Sequence, residues 1–293
     1  MAYMLDQYGE NIFEWIKENE IIYIKSPKFL KKHQLRKETR TKMVDWMVEV
    51  FYITGSEPCT FELAVHIMDR YIQQTKKILY DHDIHLIGLT SIFISSKLND
   101  DTPLSLSEVT KNIGKSIFLT TDIIEKEKEI SITINYDFVT NGIYDFLMAF
   151  FCDLNVNYYK IIEELKGKEI LCRYFYFCTI LSKLVLYNET LLSYKASLII
   201  VSILSFGFDI LNLNEKNMTK DFRNFLEEWI RYIINEMNII TYDMNCVYKE
   251  ILQSYKIYIY QPNEKIKNLT IQHKEKKIVE QTNLLKYYKD KLI

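Results

Sequence analysis

Apolar residues recur three and four positions apart along most of the chain, which is the spacing of one face of an α-helix. In the first clear example the apolar positions are Met43, Trp46, Met47, Val50 and Phe51. Residues 64–72 repeat the spacing, whereas residues 84–98 are apolar on nearly every side and include several small residues. Helices that are apolar all round lie at the centre of bundles, so residues 84–98 are predicted to form a central helix.

Two further helices are predicted from residues that commonly start a helix. Ser105 is followed three positions later by Glu108, a capping-box pattern that predicts a short helix directly after it. Asp122 and Glu125 indicate another start. The apolar register of that helix is Ile123, Glu127, Ile130 and Ile134. Glu127 is therefore an acid in a register otherwise occupied by isoleucine.

The helical pattern begins again after residue 140. Helices are predicted near 142–152, 158–186, 193–207, 219–236 and 243–257. Five helices followed by five more make a weak repeat of about 100 residues, which favours two related helical domains over a solenoid. The predicted units are an N-terminal helix and lead-in (1–38), a first repeat (39–139), a second repeat (140–260), and a polar tail or peripheral helix (261–293, helical near 275–291).

Composition supports an all-α fold. Of the 293 residues 48% are hydrophobic, enough for a sizeable core, but only 7 are Gly and 4 are Pro. All-β folds and dinucleotide-binding α/β folds need many turns formed by Gly and Pro, so this scarcity argues against both. The five cysteines are an odd number without metal-type spacing, and we interpret them as buried free thiols in a reducing compartment.

Charge and motifs exclude several functions. The net charge of −2 indicates neither a nucleic-acid binder nor a membrane binder. No signal peptide is visible, and the longest apolar run, Ala196 to Phe208, is too short to span a bilayer, so we expect the protein in the nucleus or the cytoplasm or both. No catalytic motif is found, and the His and Asp residues at 81–85 are interpreted as a solvated helix start. We therefore predict no enzymatic activity, no metal and no cofactor.

Three stretches, in this order and spacing, resemble the cyclin box, the five-helix repeat of cyclins. They are VDWMVEV (44–50), FELAVHIMDRYI (61–72) and HLIGLTSIFISSKLNDDTPLSLSEV (85–109). YGENIFEWIKENE (8–20) is similar to the N-terminal helix of cell-cycle cyclins, and the second repeat matches only in its helix pattern and around SYKASLII (193–200). The resemblance implies two tandem five-helix cyclin boxes and an activating subunit of a cyclin-dependent kinase, in cell-cycle control.

Five positions of the family's first box match one by one. Arg40 and Asp69 match an arginine and an acid that pair in the family, and a charge-assisted hydrogen bond between them would fix the first helix to the second. Leu86 matches the leucine of the third helix. Lys97 and Glu127 match the family's kinase-contacting lysine and glutamate. The resemblance implies that these two side chains converge from different helices and bind main-chain groups beside the kinase's mobile C helix.

The resemblance also implies apolar contacts around this charged pair. The expected neighbours are Leu98, Ser131, Tyr136 and Phe138. The family commonly has an aromatic residue and two acids after the lysine, whereas this chain has Leu98, Asn99 and Asp100. We interpret the difference as a sign of a kinase partner with complementary changes.

In cell-cycle cyclins the surroundings of the tryptophan dock Arg-x-Leu peptides of substrates or inhibitors. The corresponding residues here are Met43, Trp46, Glu49 and His85. Trp46 and Glu49 match the family, whereas Met43 is a mild change and His85 replaces a glutamine. Asp45 and Glu49 are expected at the surface beside the tryptophan, since they lie four positions apart on a polar face. Lys42 replaces an apolar residue of this patch and would repel the arginine of the peptide, so the sequence favours Trp46 as a core residue over a docking role.

Two alternatives use the same fold. A transcription-associated cyclin or a TFIIB-like subunit that contacts DNA should be basic, and here only the run at 31–42 is basic, interrupted by Glu38. A cyclin-fold scaffold would bind a kinase without activating it, and the matching lysine and glutamate argue against that reading.

Overall fold

The computed structural model describes residues 12–18, 20, 28–138, 141–214, 218–260 and 267–269. Within these ranges the chain is helical and has no β-strand, which confirms the predicted all-α fold. The α-helices are α1 (Ile12–Glu18), α2 (Lys37–Thr54), α3 (Pro58–Gln74), α4 (Asp83–Asn99), α5 (Thr120–Thr133), α6 (Ile143–Asn157), α7 (Tyr159–Glu164), α8 (Lys168–Val185), α9 (Ala196–Asn214), α10 (Lys220–Glu236) and α11 (Thr241–Tyr260). Short 3-10 helices lie at Phe29–Lys32 and Leu191–Ser193, and a π-helix lies at Glu108–Ile113.

Helix α4 is the centre of the first repeat, as its all-round apolar pattern predicts. It packs against α2, α3, α5 and the π-helix. Ser91 and Ser95 are fully buried, and each hydroxyl donates to a main-chain carbonyl of its own helix, at 2.8 and 3.0 Å. Gly88 permits the close approach of α2, because a Cβ atom there would lie 2.0 Å from the Met43 side chain.

Helix α9 has the same position in the second repeat, where it packs against α6, α8, α10 and α11. By length and composition the window Ala196–Leu213 could cross a membrane, which the shorter run considered in the sequence could not. However, 72% of that window is buried inside the protein. We therefore interpret α9 as the core helix of this repeat.

The predicted helix 158–186 is wrong as a single element, because the structure divides it into α7 and α8. Lys166 adopts φ 51°, a left-handed conformation that ends α7. A Cβ atom at Gly167 would lie 2.0 Å from the Phe222 ring of α10, so this ring packs directly on the main chain at the break. The remaining predicted helices of the second repeat are present with shifted ends.

The predicted helix starts of the first repeat are present. The main-chain N–H of Ser105 donates to Glu108 Oε2 at 2.8 Å, and that of Glu108 donates to Ser105 Oγ at 3.2 Å, which is the reciprocal capping box. Helix α5 begins slightly earlier than predicted, at Thr120, and Asp122 Oδ2 accepts the main-chain N–H of Leu119 at 2.8 Å.

Arg40 joins the first repeat to the second. Its guanidinium donates to both carboxylate oxygens of Asp69, from Nε at 2.7 Å and from Nη2 at 2.5 Å, so the predicted pair is present. Both residues are 1% exposed. Arg40 also donates to the carbonyl oxygens of Leu186 and Tyr187 in the second repeat, at 3.0 and 3.4 Å.

The interpretation of the cysteines as buried thiols is correct for Cys178 alone. All five are free, but Cys59, Cys152 and Cys246 are half-buried and Cys172 is exposed. Burial raises the pKa of the Cys178 thiol well above its usual value. It also raises the pKa of Cys59, to about 11. Neither thiol therefore has appreciable thiolate character at neutral pH.

The two terminal units are described only in part. Helix α1 covers residues 12–18 of the predicted N-terminal helix and buries Phe13 and Ile16, with the Phe13 ring 5.9 Å from that of Phe150 on α6. In the C-terminal unit, predicted as a polar tail or a peripheral helix, residues 267–269 form a helical turn with Leu269 only 2% exposed. The helix predicted near 275–291 lies outside the described residues.

Candidate functional site

Lys97 and Glu127 form an ion pair between two helices. Lys97 lies in the last turn of α4, and Glu127 lies in the middle of α5. Their side chains are 37% and 26% exposed. The ammonium also lies 4.2 Å from the centroid of the Phe93 ring, one turn earlier on α4, so it is held between an aromatic face and a carboxylate.

This ion pair contributes little to stability, because exposed pairs are worth about 0–1 kcal/mol. Its effect is to position two charged groups at the surface before any partner arrives. An ammonium has three N–H donors and a carboxylate has two oxygens, so both groups can bind a partner while they remain paired. The pair therefore presents a preformed donor and a preformed acceptor side by side.

Exposed apolar side chains lie near the pair in the sequence, on or directly after the same two helices. Leu98, next to Lys97, is 50% exposed, and Tyr136, after the end of α5, is 66% exposed. Phe138 is half-buried and packs on the core. Ile124, which is 48% exposed, lies three residues before Glu127 and so shares its helical face. Leu98, Ile124 and Tyr136 are called the apolar border below, and their exposed surfaces are open to a partner.

Ser131 does not belong to this exposed border, which corrects the sequence-based assignment. It is 8% exposed, and its hydroxyl donates to the main-chain carbonyl of Glu127 at 2.7 Å. A serine in mid-helix commonly bonds the carbonyl four residues earlier. Ser131 therefore belongs to the helix that supports Glu127.

The chain reverses sharply where α5 ends. Asn135 and Tyr136 adopt φ 56° and 57°, and the Tyr136 N–H donates to the Ser131 carbonyl at 2.8 Å, which closes the helix. Asparagine tolerates this left-handed conformation, whereas a bulky residue there is strained. A tyrosine that is both strained and exposed is typical of a residue kept for function.

Sequence reasoning missed two residues near this pair, the buried Phe93 beneath the ammonium and the exposed Ile124. Phe93 lies four residues before Lys97, and Ile124 lies three residues before Glu127. Both offsets place a side chain on the same helical face as the charge. A search for neighbours at those offsets would have identified both residues.

The predicted docking patch is only partly assembled. The Trp46 and His85 rings meet edge to face with centroids 5.1 Å apart, and His85 meets Phe118, which the sequence did not indicate, at 5.3 Å. Trp46 is half-buried and Glu49 is exposed. Met43 is 5% exposed and packs on α4 beside Gly88, so its assignment to the patch is wrong. Leu86 is half-buried and packs, like Trp46, on the small core cluster around Phe93.

Asp45 is buried, which contradicts its expected surface position. It is 9% exposed, and its Oδ1 accepts the Tyr187 hydroxyl of the second repeat at 2.9 Å. Its carboxylate oxygens also accept the main-chain N–H of Asn268, at 3.2 Å each. Burial raises the pKa of this carboxyl group, although its hydrogen-bond donors oppose the shift. The helical spacing predicts that Asp45 shares a face with Glu49, but it does not predict that Tyr187 and Asn268 cover Asp45.

Three of the six Lys and Arg side chains of the basic run at 31–42 form ion pairs within the chain. Arg36 pairs with Asp81, Lys37 pairs with Glu189, and Arg40 is buried against Asp69. A DNA-binding surface needs exposed cations that can neutralise phosphates, so this arrangement argues against the DNA-binding alternative. Across the described ranges no group of three His, Cys, Asp or Glu side chains has the arrangement of a metal site.

Comparison with known proteins gives a consistent result. The family model "Cyclin, N-terminal domain" matches residues 11–139. The G2/mitotic-specific cyclin-B3 of Mus musculus is 30% identical over 182 residues, which is 55% of this chain and 12% of the mouse protein. The G2/mitotic-specific cyclin-2 of Saccharomyces cerevisiae is 30% identical over 98 residues, which is 33% of this chain and 20% of the yeast protein.

A solved structure shows the same fold over nearly its whole length. The viral cyclin from herpesvirus saimiri superposes with a TM-score of 0.58 at 18% identity, over 84% of this chain and 99% of the viral chain. Residues 11–139 therefore match the N-terminal domain of cyclins, and the chain shares the fold of the viral cyclin. The matched segments span only 12% and 20% of the two curated relatives.

Proposed function

We propose that this chain is a regulatory subunit that binds and activates a cyclin-dependent serine/threonine kinase in cell-cycle control. The main support is the ion pair of Lys97 and Glu127, held ready on an exposed surface with an apolar border. The names of the relatives, which are G2/mitotic-specific cyclins, agree with this function. No chemical step takes place on this chain under this proposal.

The activation is a shift of the kinase's conformational population. Phosphoryl transfer requires the kinase's β3 lysine to pair with the glutamate of its C helix and requires an ordered activation loop. A partner that binds the active arrangement more tightly raises the population of that arrangement by its differential affinity. A shift from 1:99 to 99:1 requires a difference of about 5.5 kcal/mol, which a hydrogen-bonded and largely apolar interface can supply.

The charged and the apolar residues have different roles in binding the kinase. Lys97 offers N–H donors to carbonyl groups beside the C helix, and Glu127 offers oxygens to N–H groups there. Leu98 and Tyr136, half or more exposed in the free chain, would be covered by the kinase. Burial of their apolar surface against the kinase contributes roughly 25 cal/mol per Å² before the costs of association. The charged pair then determines orientation, and the apolar border supplies most of the affinity.

Kinase activation by a double variant tests the proposal. Lys97→Ala with Glu127→Ala should preserve the thermal unfolding temperature, because an exposed pair contributes about 0–1 kcal/mol. The same variant should activate the co-purified kinase at least about tenfold less, since the few residues that dominate an interface each contribute about 2 kcal/mol or more. The matched control is Arg173→Ala with Glu169→Ala, an exposed pair on α8. Equal activation by both variants would place the kinase interface elsewhere.

A further inference from the structure

The loop between α4 and the π-helix exposes a threonine directly in front of a proline. These residues are Thr102 and Pro103, and both are exposed. The segment 100–104 that contains them belongs to no helix. A residue in front of proline is kept out of the helical conformation and favours an extended one. Thr102 therefore presents its hydroxyl group on a non-helical segment at the surface.

Hydrogen bonds hold both ends of this loop in place. The Asp100 main-chain N–H donates to the Ser96 carbonyl at 3.0 Å, and the Leu104 main-chain N–H donates to Ser96 Oγ at 2.9 Å. The Asp100 carboxylate also accepts the hydroxyls of Ser56 at 2.9 Å and Thr60 at 2.7 Å, where α3 starts. The three residues between these two anchors are all exposed. The loop thus has fixed ends and an accessible tip.

Hydroxyl groups close to this tip already serve the fold. Ser105 Oγ accepts the Glu108 main-chain N–H in the capping box at 3.2 Å. Thr110 Oγ1 donates to the Leu106 carbonyl at 2.7 Å. A phosphate on either of these hydroxyls would break a contact of the π-helix or of its start. A phosphate on Thr102 would displace neither contact, so Thr102 is the better acceptor in this part of the chain.

The reaction is a phosphoryl transfer from ATP. Thr102 Oγ1 attacks the γ-phosphorus, the bond between that phosphorus and the β,γ-bridging oxygen breaks, and ADP leaves with the oxygen. The hydroxyl proton passes to the catalytic aspartate of the modifying kinase. Proline at the next position offers no main-chain N–H. A kinase whose substrate groove has no acceptor for that N–H therefore selects this segment.

We infer that Thr102 is a phosphorylation site for a serine/threonine kinase that requires proline after the acceptor, and that phosphate at Thr102 weakens kinase activation through Lys97. The first half of the inference depends only on the loop and on the chemistry of the hydroxyl. The second half rests on the proposed function, because it concerns the surface that contains Lys97 and Glu127.

The effect on Lys97 follows from the charge of the phosphate and from the anchors of the loop. A phosphothreonine has a charge of about −1.5 to −2 at neutral pH, and the two preceding residues are Asp100 and Asp101. Repulsion between these like charges disfavours the present loop conformation. Both ends of the loop bond Ser96, the residue before Lys97. Displacement of the loop therefore disturbs the end of α4 that positions Lys97.

Phosphate incorporation into the folded full chain tests the first half. Two of the 4 prolines follow Ser or Thr, and the second such acceptor, Ser26, lies outside the described residues. A chain with Ser26→Ala is therefore incubated with ATP and an active mitogen-activated protein kinase, which requires proline after the acceptor. Peptide mass spectrometry should locate phosphate at Thr102. Addition of Thr102→Ala or Pro103→Ala should abolish the incorporation.

Thr121→Ala is the matched control, since Thr121 is an exposed threonine on α5 that no proline follows. This variant should incorporate as much phosphate as the Ser26→Ala chain. Absence of phosphate from Thr102, or equal incorporation after Pro103→Ala, would overturn the inference.

Kinase activation tests the second half. The Ser26→Ala chain phosphorylated at Thr102 is compared with the Thr102→Ala chain after the same treatment and removal of the modifying kinase. The phosphorylated chain should activate the co-purified kinase roughly fivefold less or weaker still, while its thermal unfolding stays cooperative. Equal activation by the two chains would overturn the regulatory role. Mass spectrometry detects the phosphate directly, so a failure of the proposed function would not change the result for the first half.

Discussion

The substitution Asp69→Ala tests whether the buried ion pair is the main polar link within the fold. Asp69 accepts two hydrogen bonds from Arg40, at 2.7 and 2.5 Å, and both residues are 1% exposed. The substitution leaves a fully buried guanidinium with two carbonyl acceptors in the second repeat, those of Leu186 and Tyr187. The effect should therefore extend beyond α2 and α3 to the contact between the repeats.

The expected loss follows from the burial of both charges. Removal of one partner from a buried pair costs about 3–5 kcal/mol, because the other charge remains desolvated and uncompensated. This is a large part of the 5–15 kcal/mol that is roughly typical of folded domains. Replacement of both residues by apolar ones, as in Arg40→Met with Asp69→Leu, should cost less than Asp69→Ala, because no unpaired charge remains.

Urea denaturation at neutral pH, followed by far-ultraviolet circular dichroism, measures this difference. Glu169→Ala is the control, because it removes an exposed partner from the i, i+4 pair with Arg173 on α8 and should cost about 0.3–0.5 kcal/mol. A loss below about 1 kcal/mol for Asp69→Ala, within the range of an exposed pair, would refute the reasoning. So would a double variant that is less stable than the single one.

Two further predictions concern other parts of the first repeat. Tyr136→Gly should raise the free energy of unfolding by about 1 kcal/mol in urea denaturation, since glycine adopts φ 57° without strain; the same variant should bind the kinase more weakly in a pull-down. Burial lowers the pKa of His66 to about 4, so the unfolded chain binds a proton between about pH 6.5 and pH 4 that the folded chain does not. The free energy of unfolding should therefore fall as pH decreases through this window, by up to about 1.4 kcal/mol per pH unit. His66→Leu should remove this contribution to the pH dependence of the free energy of unfolding, measured by urea denaturation between about pH 4 and pH 6.5. An unchanged pH dependence in the variant would contradict the assignment of the proton uptake to His66.

The local pattern of apolar residues was sufficient to predict the two central helices. Residues 84–98 and 196–208 are apolar on nearly every side, and both lie at the centre of a repeat. The juxtaposition of Lys97 and Glu127 came from the resemblance to cyclins, because no local pattern relates side chains that are thirty positions apart on different helices. The sequence alone showed that Glu127 is an acid in an otherwise apolar register, but it did not identify Lys97 as the partner of Glu127.

The sequence-based predictions were wrong where residues distant in the chain determine whether a side chain is buried or where a helix ends. Asp45 has the spacing of a surface acid, but Tyr187 and Asn268 cover it, and they lie 142 and 223 residues away in the chain. Ser131 shares a face with Glu127 but is withdrawn from the surface, with its hydroxyl bonded inside its own helix. The division between α7 and α8 follows from the approach of Phe222 to Gly167, which is also a tertiary contact.

A charge exchange at the proposed kinase-binding surface tests the central claim most directly. Lys97→Glu with Glu127→Lys retains an ion pair between α4 and α5 and loses only the contact of the ammonium with the Phe93 ring, so the thermal unfolding temperature should change little. It reverses the donor and the acceptor that the kinase would meet, and a reversed charge in an interface costs several kcal/mol. Activation of the co-purified kinase should therefore fall by at least about a hundredfold. Full activation by the exchanged chain would show that the pair serves only the fold and would contradict the account.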